Sequence, residues 1–474
     1  MDRALQLYEA QQEGVARFLK SNGRFLLTYG TGCGKTPTTI RALAAWFGDR
    51  TDLRVLVVCP AIVRRHWCRE FWRWQMLDAH PIEMGRERKT GTKRQLDDRE
   101  RAYASRIQVV SYDLAKDVSA EGWDAIVFDE IHHLGEATSQ QSRMARALVA
   151  ANPKACVLGL SATLIPTDVR QIWHPLYLLF GAEWGRPSKT GGTSWAFAQR
   201  YCVIERNEYG SAIKGGRPEM LPELRARVAK VSHRLTRQDI VSDLPAIDVR
   251  VLDVPGSHLA RHLFAVGAAV KARAEVAHTV EWLKAMPEDI THAVVLTYHR
   301  ELALQIANAL VPHFNKGEEL CIIDGSVPSA ERVERLDRLG QRERAVLVAT
   351  SESIREGIRL MWAGKVLFAE WRQSPAQVVQ VLGRFQSVGD DRRPQVEILS
   401  DESLYEQARV LLERVNAMNQ VLKAGQAELA LAEVFAPKEL TDARMRELTL
   451  EMLNTTNSDA ADWSESEGEE ADGW

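Results

Sequence analysis

Three absences narrow the reading of this 474-residue chain before any motif is considered. No apolar run approaches the roughly twenty residues of a membrane-spanning helix, and the opening Met1-Asp2-Arg3-Ala4-Leu5-Gln6 lacks the apolar core of a secretory signal. The expectation is a soluble protein of the cytoplasm, the host's if the source is a virus, with the nucleus left open. The six cysteines, Cys33, Cys59, Cys68, Cys156, Cys202 and Cys321, show no paired spacing, which argues against a zinc site or a disulfide framework. Basic residues are missing from the end: Asp459 to Trp474 carries seven carboxylates and no Lys or Arg. That acidic tail is expected to be disordered by itself. Without it the formal net charge of −3 turns weakly positive, which is compatible with a nucleic-acid groove and does not require one.

What is present is ordinary in composition, 45% hydrophobic and 26% charged, and long enough for two domains of about 200 residues. Short β-rich runs recur in the first half at Arg54–Cys59, Ile107–Val110, Ala125–Phe128 and Cys156–Leu160, each followed by a helical pattern. The second half repeats this at His292–Thr297, Leu320–Asp324, Ala345–Ala349, Lys365–Ala369 and Val396–Leu399. Alternation of this kind predicts an α/β protein with doubly wound parallel sheets. Lobe one is expected over 1–245, with a small helical insertion at about 181–232 where the alternation breaks. Lobe two is expected over 246–435 and a C-terminal extension over 436–474. An amphipathic helix is expected from Leu404 to Val421.

Tyr29-Gly30-Thr31-Gly32-Cys33-Gly34-Lys35-Thr36 follows the apolar Phe25-Leu26-Leu27 and resembles a phosphate-binding loop. Such a turn offers backbone N–H groups to phosphates, Lys35 adds a positive charge, and the Thr36 hydroxyl can ligate Mg²⁺. Tyr29 stands where the common pattern has its first glycine, so Gly30, Gly32 and Gly34 must supply the flexibility. About ninety residues on, the strand-like Ala125-Ile126-Val127-Phe128 ends on Asp129-Glu130. Asp129 suits the metal side and Glu130 suits the attacking water. Together the two motifs point to ATP binding and hydrolysis, with ATP and Mg²⁺ as cofactors. A cysteine in the loop, Cys33, reads as a tolerated small side chain. Trp67, Phe71 and Trp74 recur at helical spacing and read as core.

With both halves laid out, residues 5 to 400 resemble superfamily-two helicase-like ATPases, within them the Swi/Snf type, and especially the compact annealing-helicase branch. The resemblance rests on Leu7-Tyr8-Glu9-Ala10-Gln11, on Pro60-Ala61 followed by Trp67, Glu70 and Phe71, on Val110-Ser111-Tyr112, on Gly159-Leu160-Ser161-Ala162-Thr163, and on His233-Arg234-Leu235-Thr236-Arg237-Gln238-Asp239. It implies two RecA-like lobes with an ATP cleft between them. Gln11 would read adenine. Pro60, Arg64 and neighbouring Arg65, Ser111 and Tyr112 would contact the nucleic-acid backbone. His132, Ser161 and Thr163 would couple nucleotide state to the nucleic-acid track, while His133 has no family role and reads as polar surface.

In lobe two, Tyr298 and Asp324-Gly325-Ser326 resemble further nucleic-acid motifs, Glu356-Gly357 the end of the fifth motif, and Gln380-Val381-Leu382-Gly383-Arg384 the sixth. Gly357 and Gln380 would complete the nucleotide site, and Arg384 would reach the γ-phosphate. Two departures stand out: Ser387 replaces the family's second arginine, and Ile354-Arg355 its glycine pair. Weak or tightly DNA-gated turnover is the expected consequence, with Arg355 as a possible substitute arginine. The implied function is a DNA-dependent ATPase motor of replication, recombination or repair, acting on duplex, forked or single-stranded DNA as a monomer, in a bacterium or bacteriophage. The tail 459–474 would dock on a replication or single-strand-binding protein. Rival readings are an RNA helicase, an ATP-binding recruitment or loader protein with little turnover, and a subunit of a DNA-translocating restriction complex.

Overall fold

The computed structural model describes residues 5–50, 52–75, 77–86, 90–165, 169–184, 192–207, 210–240, 248–253, 273–315, 317–354, 360–370, 378, 381–385 and 394–400. The expected helix 404–421, the acidic tail, Gly357, Gln380, Arg355 and Ser387 lie outside these residues. Both sheets described below belong to the unit Met1–Val434.

The first sheet is built from β1 (Arg24–Tyr29), β2 (Val55–Cys59), β3 (Ala79–Ile82), β4 (Ile107–Ser111), β5 (Ala125–Asp129) and β6 (Cys156–Leu160), followed after a hairpin by β9 (Ser232–Leu235). All pairings are parallel, in the order β3-β4-β2-β5-β6-β1-β9. Parallel strands covered on both faces lose the apolar/polar alternation, and every residue of β2, β4, β5 and β6 is buried. The two faces nevertheless separate by parity. Phe25, Leu27, Val55 and Val57 pack with helix α1 (Glu9–Leu19), helix α2 (Lys35–Phe47) and helix α3 (Arg64–Gln75), whereas Leu26, Leu56, Val58 and Phe128 pack toward Trp173, Leu176 and Leu179.

The second sheet, also parallel, has the order β10-β15-β14-β11-β13-β12, with β10 Asp248–Asp253, β11 His292–Thr297, β12 Glu319–Ile323, β13 Ala345–Thr350, β14 Lys365–Phe368 and β15 Gln395–Ser400. The α/β, two-sheet expectation is therefore met.

Within the expected insertion, the helix Gly192–Tyr201 leads into an antiparallel hairpin, β7 (Cys202–Asn207) and β8 (Gly210–Gly216), and the helix Leu221–Val231 leads out. The expected helical insertion thus also carries a β-hairpin. Strands β3, β9 and β10 were not expected from sequence. β9 reads Ser232-His233-Arg234-Leu235, too polar to suggest a strand, and is fixed by its parallel pairing with β1. Among the described residues no helix is long and apolar enough to cross a membrane.

Candidate nucleotide site between the two sheets

Because β5, β6, β1 and β9 are neighbours, Asp129, Ser161, Gly30 and Thr236 emerge side by side at the carboxyl rim of the first sheet. Ligands of open α/β sheets bind at such a rim. A cleft of about 1530 Å³ lies above it, lined by Gly30–Gly32 and Gly34–Thr36, by Pro60 and Arg64, by Asp129 and Glu130, and from the second sheet's side by Gly383 and Arg384. Lys35, Glu130 and Arg384, drawn from three distant motifs, thus face one space.

The loop's geometry explains its glycines. Gly32 and Gly34 have φ of 80° and 79°, in the left-handed region that favours glycine, and Gly34 caps α2 at its N-terminus. A Cβ on Gly34 would also lie 2.3 Å from Gln11 Nε2. Tyr29 needs no such freedom. Its side chain leaves the loop and is fully buried, with Oη 2.9 Å from His233 Nδ1. Gly14 makes room for it: a Cβ there would lie 2.0 Å from Tyr29 Oη. Burial pushes the Cys33 thiol up to about 11 against the opposing charges of Arg237 and Lys35, so it stays protonated and packs, as expected.

Lys35 Nζ donates to Tyr29 O at 3.3 Å and lies 3.6 Å from Glu130 Oε1. Glu130 holds φ of 52° as a non-glycine residue, a strain of roughly 1–3 kcal/mol that aims its carboxylate into the cleft. Oε2 sits 3.3 Å from His132 Nδ1 and accepts from Ser161 Oγ and the Ala162 N–H, each at 3.4 Å. Burial by itself would raise this carboxyl, but Lys35, His132 and Arg384 together hold it well below the usual carboxylate range. Asp129 moves the other way: burial, then the neighbouring Glu130 charge, pushes it up to about 6. Its Oδ1 accepts the Glu130 N–H at 3.0 Å and its Oδ2 accepts the Trp67 indole N–H at 2.8 Å.

The Asp129 carboxylate and the Thr36 hydroxyl line the same cleft, and oxygen ligands of this kind suit a hard cation that takes few protein oxygens and completes its shell with phosphate and water. Thr36 and Asp129 are the residues that would hold Mg²⁺, which when bound neutralises charge on the phosphates.

The remaining expected residues divide. His132 Nδ1 lies 3.0 Å from Ser161 Oγ, which in turn accepts the Thr163 N–H at 3.2 Å, so the three expected coupling residues form one chain. His133, read as polar surface, is instead half-buried and stacks on His132 at 4.9 Å, with the Tyr112 ring 5.4 Å away on its other contact. Gln11 accepts from the Tyr8 N–H and donates to Cys33 O at 3.0 Å. It therefore also struts the phosphate loop, and its second amide hydrogen is what could face a base.

Ser111 and Tyr112, expected as strand contacts, are only 5% and 6% exposed and pack within the first sheet's layer, and the Tyr112 hydroxyl donates to Asp129 O at 2.8 Å. Arg64 lines the cleft and donates through Nε to Ala61 O at 2.9 Å and through Nη1 to Ile82 O, so its guanidinium braces the loop after β2 with part of its donor set. Arg65 pairs with Glu83. Pro60 is buried at the cleft wall.

On the second sheet's rim, Tyr298 and His299 N–H groups both donate to the buried Glu370 carboxylate. Asp324 is also buried. Its hydrogen bonds from Ser326 and Arg300 overcome the upward push of burial and hold its carboxyl below the usual carboxylate range. Gly325 has open space at its Cβ position.

Two site residues were missed from sequence, the hydrogen-bonding role of Trp67 and any role for Arg237. A buried tryptophan needs a partner for its N–H, but its identity is set 62 residues away.

The family model for the res subunit of type III restriction enzymes matches residues 4–166. Bovine DNA annealing helicase and endonuclease ZRANB3 is 22% identical over 94% of this chain and 44% of its own length. The Caenorhabditis elegans SWI/SNF-related matrix-associated actin-dependent regulator of chromatin subfamily A-like protein 1 homolog is 26% identical over 82% of this chain and 58% of its own. The chain thus spans about half the length of these curated relatives. Among solved structures, S. cerevisiae Dbp5 bound to RNA and ADP BeF3 superposes with a TM-score of 0.55 at 12% identity, covering 91% of this chain and 94% of that one, a likeness of fold. The chain is thus similar to annealing-helicase and SWI/SNF-related proteins along most of its length, and to the restriction-enzyme res subunit over residues 4–166.

Proposed function

We propose that this chain is a DNA-dependent ATPase that moves on or remodels DNA in repair, recombination or replication. The observation that carries the reading is the convergence of Lys35, Glu130 and Arg384 on one cleft. Glu130, ionised and aimed into the cleft, orients the attacking water and takes its proton. Lys35 and Arg384 stabilise the charge that develops on the transferred phosphoryl group. Lys35 opens α2 and Glu130 follows β5, both at the rim of the first sheet, whereas Arg384 comes from the second sheet's side, so lobe closure completes the site and opening releases product. The Glu130–His132–Ser161–Thr163 chain gives hydrolysis a route to the rest of lobe one.

The DNA substrate follows from the similarity to annealing-helicase and Swi/Snf-related proteins. Tyr298, Asp324 and Gly325 are the strand contacts this reading assigns to lobe two. The tail 459–474 is assigned to docking on a basic partner protein, and the site of action to the cytoplasm of a bacterium or a phage-infected cell.

The test is phosphate release by the full chain, with Lys35→Ala as control, across no nucleic acid, single-stranded, duplex and forked DNA, and RNA. Stimulation by duplex or forked DNA that disappears in Lys35→Ala supports the motor. Greater stimulation by RNA moves the assignment to an RNA helicase. Nucleotide binding without stimulated release overturns the motor in favour of an ATP-binding recruitment protein.

A further inference from the structure

The end of β9 and the segment leaving it are fastened to the rim of the first sheet and to the phosphate loop. Leu235 O accepts the Gly30 N–H at 2.8 Å, and Arg234 Nη1 donates to Thr28 O at 2.6 Å and to Ala162 O at 3.0 Å. Asp239 Oδ2 then accepts from both the N–H and the hydroxyl of Thr236 at 2.7 Å, closing the turn that presents Arg237. Arg237 is half-buried and bridges two backbone carbonyls of different lobes. Its Nε donates to Thr31 O at 3.0 Å and its Nη2 to Gly383 O at 2.8 Å.

Gly383 immediately precedes Arg384, whose N–H donates to Val381 O at 2.8 Å and whose carbonyl accepts from Leu360 at 2.9 Å. The Gly383 carbonyl and the Arg384 side chain therefore belong to one rigid turn. The approach is as close as backbone allows: a Cβ on Gly383 would lie 2.7 Å from Thr31 Cβ.

We propose that Arg237 is a positioning residue for the phosphoryl-transfer reaction, a fork whose two N–H groups hold the Gly383–Arg384 turn against the phosphate loop and so set where the Arg384 guanidinium stands. This rests on the ATPase reading above. A planar guanidinium offers several donors in fixed directions, and a lysine ammonium is a point charge on a flexible stem that cannot reproduce both bonds together. Because both acceptors are neutral carbonyls, the pair works by geometry: it aligns lobe two's arginine with lobe one's loop and touches no substrate itself.

The experiment compares Arg237→Ala, Arg237→Lys, Arg384→Ala and the double Arg237→Ala/Arg384→Ala in the full chain. Steady-state ATP hydrolysis is read with saturating DNA, and amide hydrogen exchange is read in parallel. The expected kcat loss in Arg237→Ala is roughly tenfold to a hundredfold, with KM for ATP little changed and partial recovery in Arg237→Lys. In the Arg384→Ala background the same change should cost no more than about twofold, since its target is already gone. Exchange should rise in peptides covering 381–385 while those covering 293–297 stay protected.

Wild-type kcat in Arg237→Ala, or a loss that multiplies with that of Arg384→Ala, overturns the proposal. If the wild-type chain shows no hydrolysis above Lys35→Ala, the ATPase reading fails separately. The exchange data then decide the Arg237 bridge by themselves, and unchanged protection at 381–385 sinks it.

Discussion

The Trp67 indole N–H donates to Asp129 Oδ2 at 2.8 Å, joining the helix after the second strand to a carboxylate that lines the cleft. Trp67 is fully buried against Phe71, so Trp67→Phe removes the donor and leaves most of the packing. A hydrogen bond to a charged group contributes about 1.5–3 kcal/mol. Losing it should disorient Asp129 and raise the Mg²⁺ concentration for half-maximal hydrolysis several-fold, with a smaller effect on the unfolding temperature. A Mg²⁺ titration of phosphate release checks this; an unchanged midpoint would show that the indole only fills space.

Gly14 and Tyr29 form a complementary pair. Gly14→Ala places a methyl group 2.0 Å from Tyr29 Oη and 2.8 Å from His233 Nδ1, and should destabilise the chain by about 1–3 kcal/mol. Tyr29→Phe in the same chain removes the clashing oxygen and should restore much of that loss. Urea unfolding of the two single variants and the double variant gives the coupling directly.

Glu130→Gln keeps the side-chain shape and an acceptor for Ser161 while removing the base. Hydrolysis should fall roughly 10²- to 10⁴-fold, with ATP still bound. Equilibrium binding of a fluorescent ATP analogue alongside single-turnover hydrolysis separates the two; equal losses in both would assign Glu130 to binding.

His174 sets a pH limit on stability. It is fully buried, and its Nε2 faces the Arg146 Nη1 donor at 2.8 Å, so that nitrogen carries no proton and Nδ1–H donates to Leu134 O at 2.5 Å. Burial pushes it down to about 4 from 6.5, against the Leu134 carbonyl and with the Arg146 charge adding to the effect. A histidine held neutral in the folded state stabilises fully above its unfolded value, and that stability drains as pH falls from about 6.5 toward 4. By pH 5 the loss from this group should be about 2 kcal/mol. Urea midpoints at pH 8 and pH 5 for wild type and His174→Gln test it: the variant should show the smaller drop.

Motifs whose chemistry is local were legible without a structure. Gly32, Gly34, Lys35 and Thr36 act through backbone turns and a helix start that neighbouring residues determine. Asp129-Glu130 ends an apolar run whose burial on both faces is written in its own composition. The alternation of such runs with helical patterns likewise specified two parallel sheets.

Other features depended on which strands became neighbours. Serine and tyrosine at 111–112 carry no local sign that β4 buries them, and Ser232–Leu235 carries none that β1 pairs with it. Trp67 meets Asp129, and Arg237 meets Gly383, across 62 and 146 residues of chain. Side chains of that separation are joined by sheet order and lobe packing, which depend on the sum of all buried contacts. No local segment encodes that sum, so only the folded chain decides which donor reaches which acceptor.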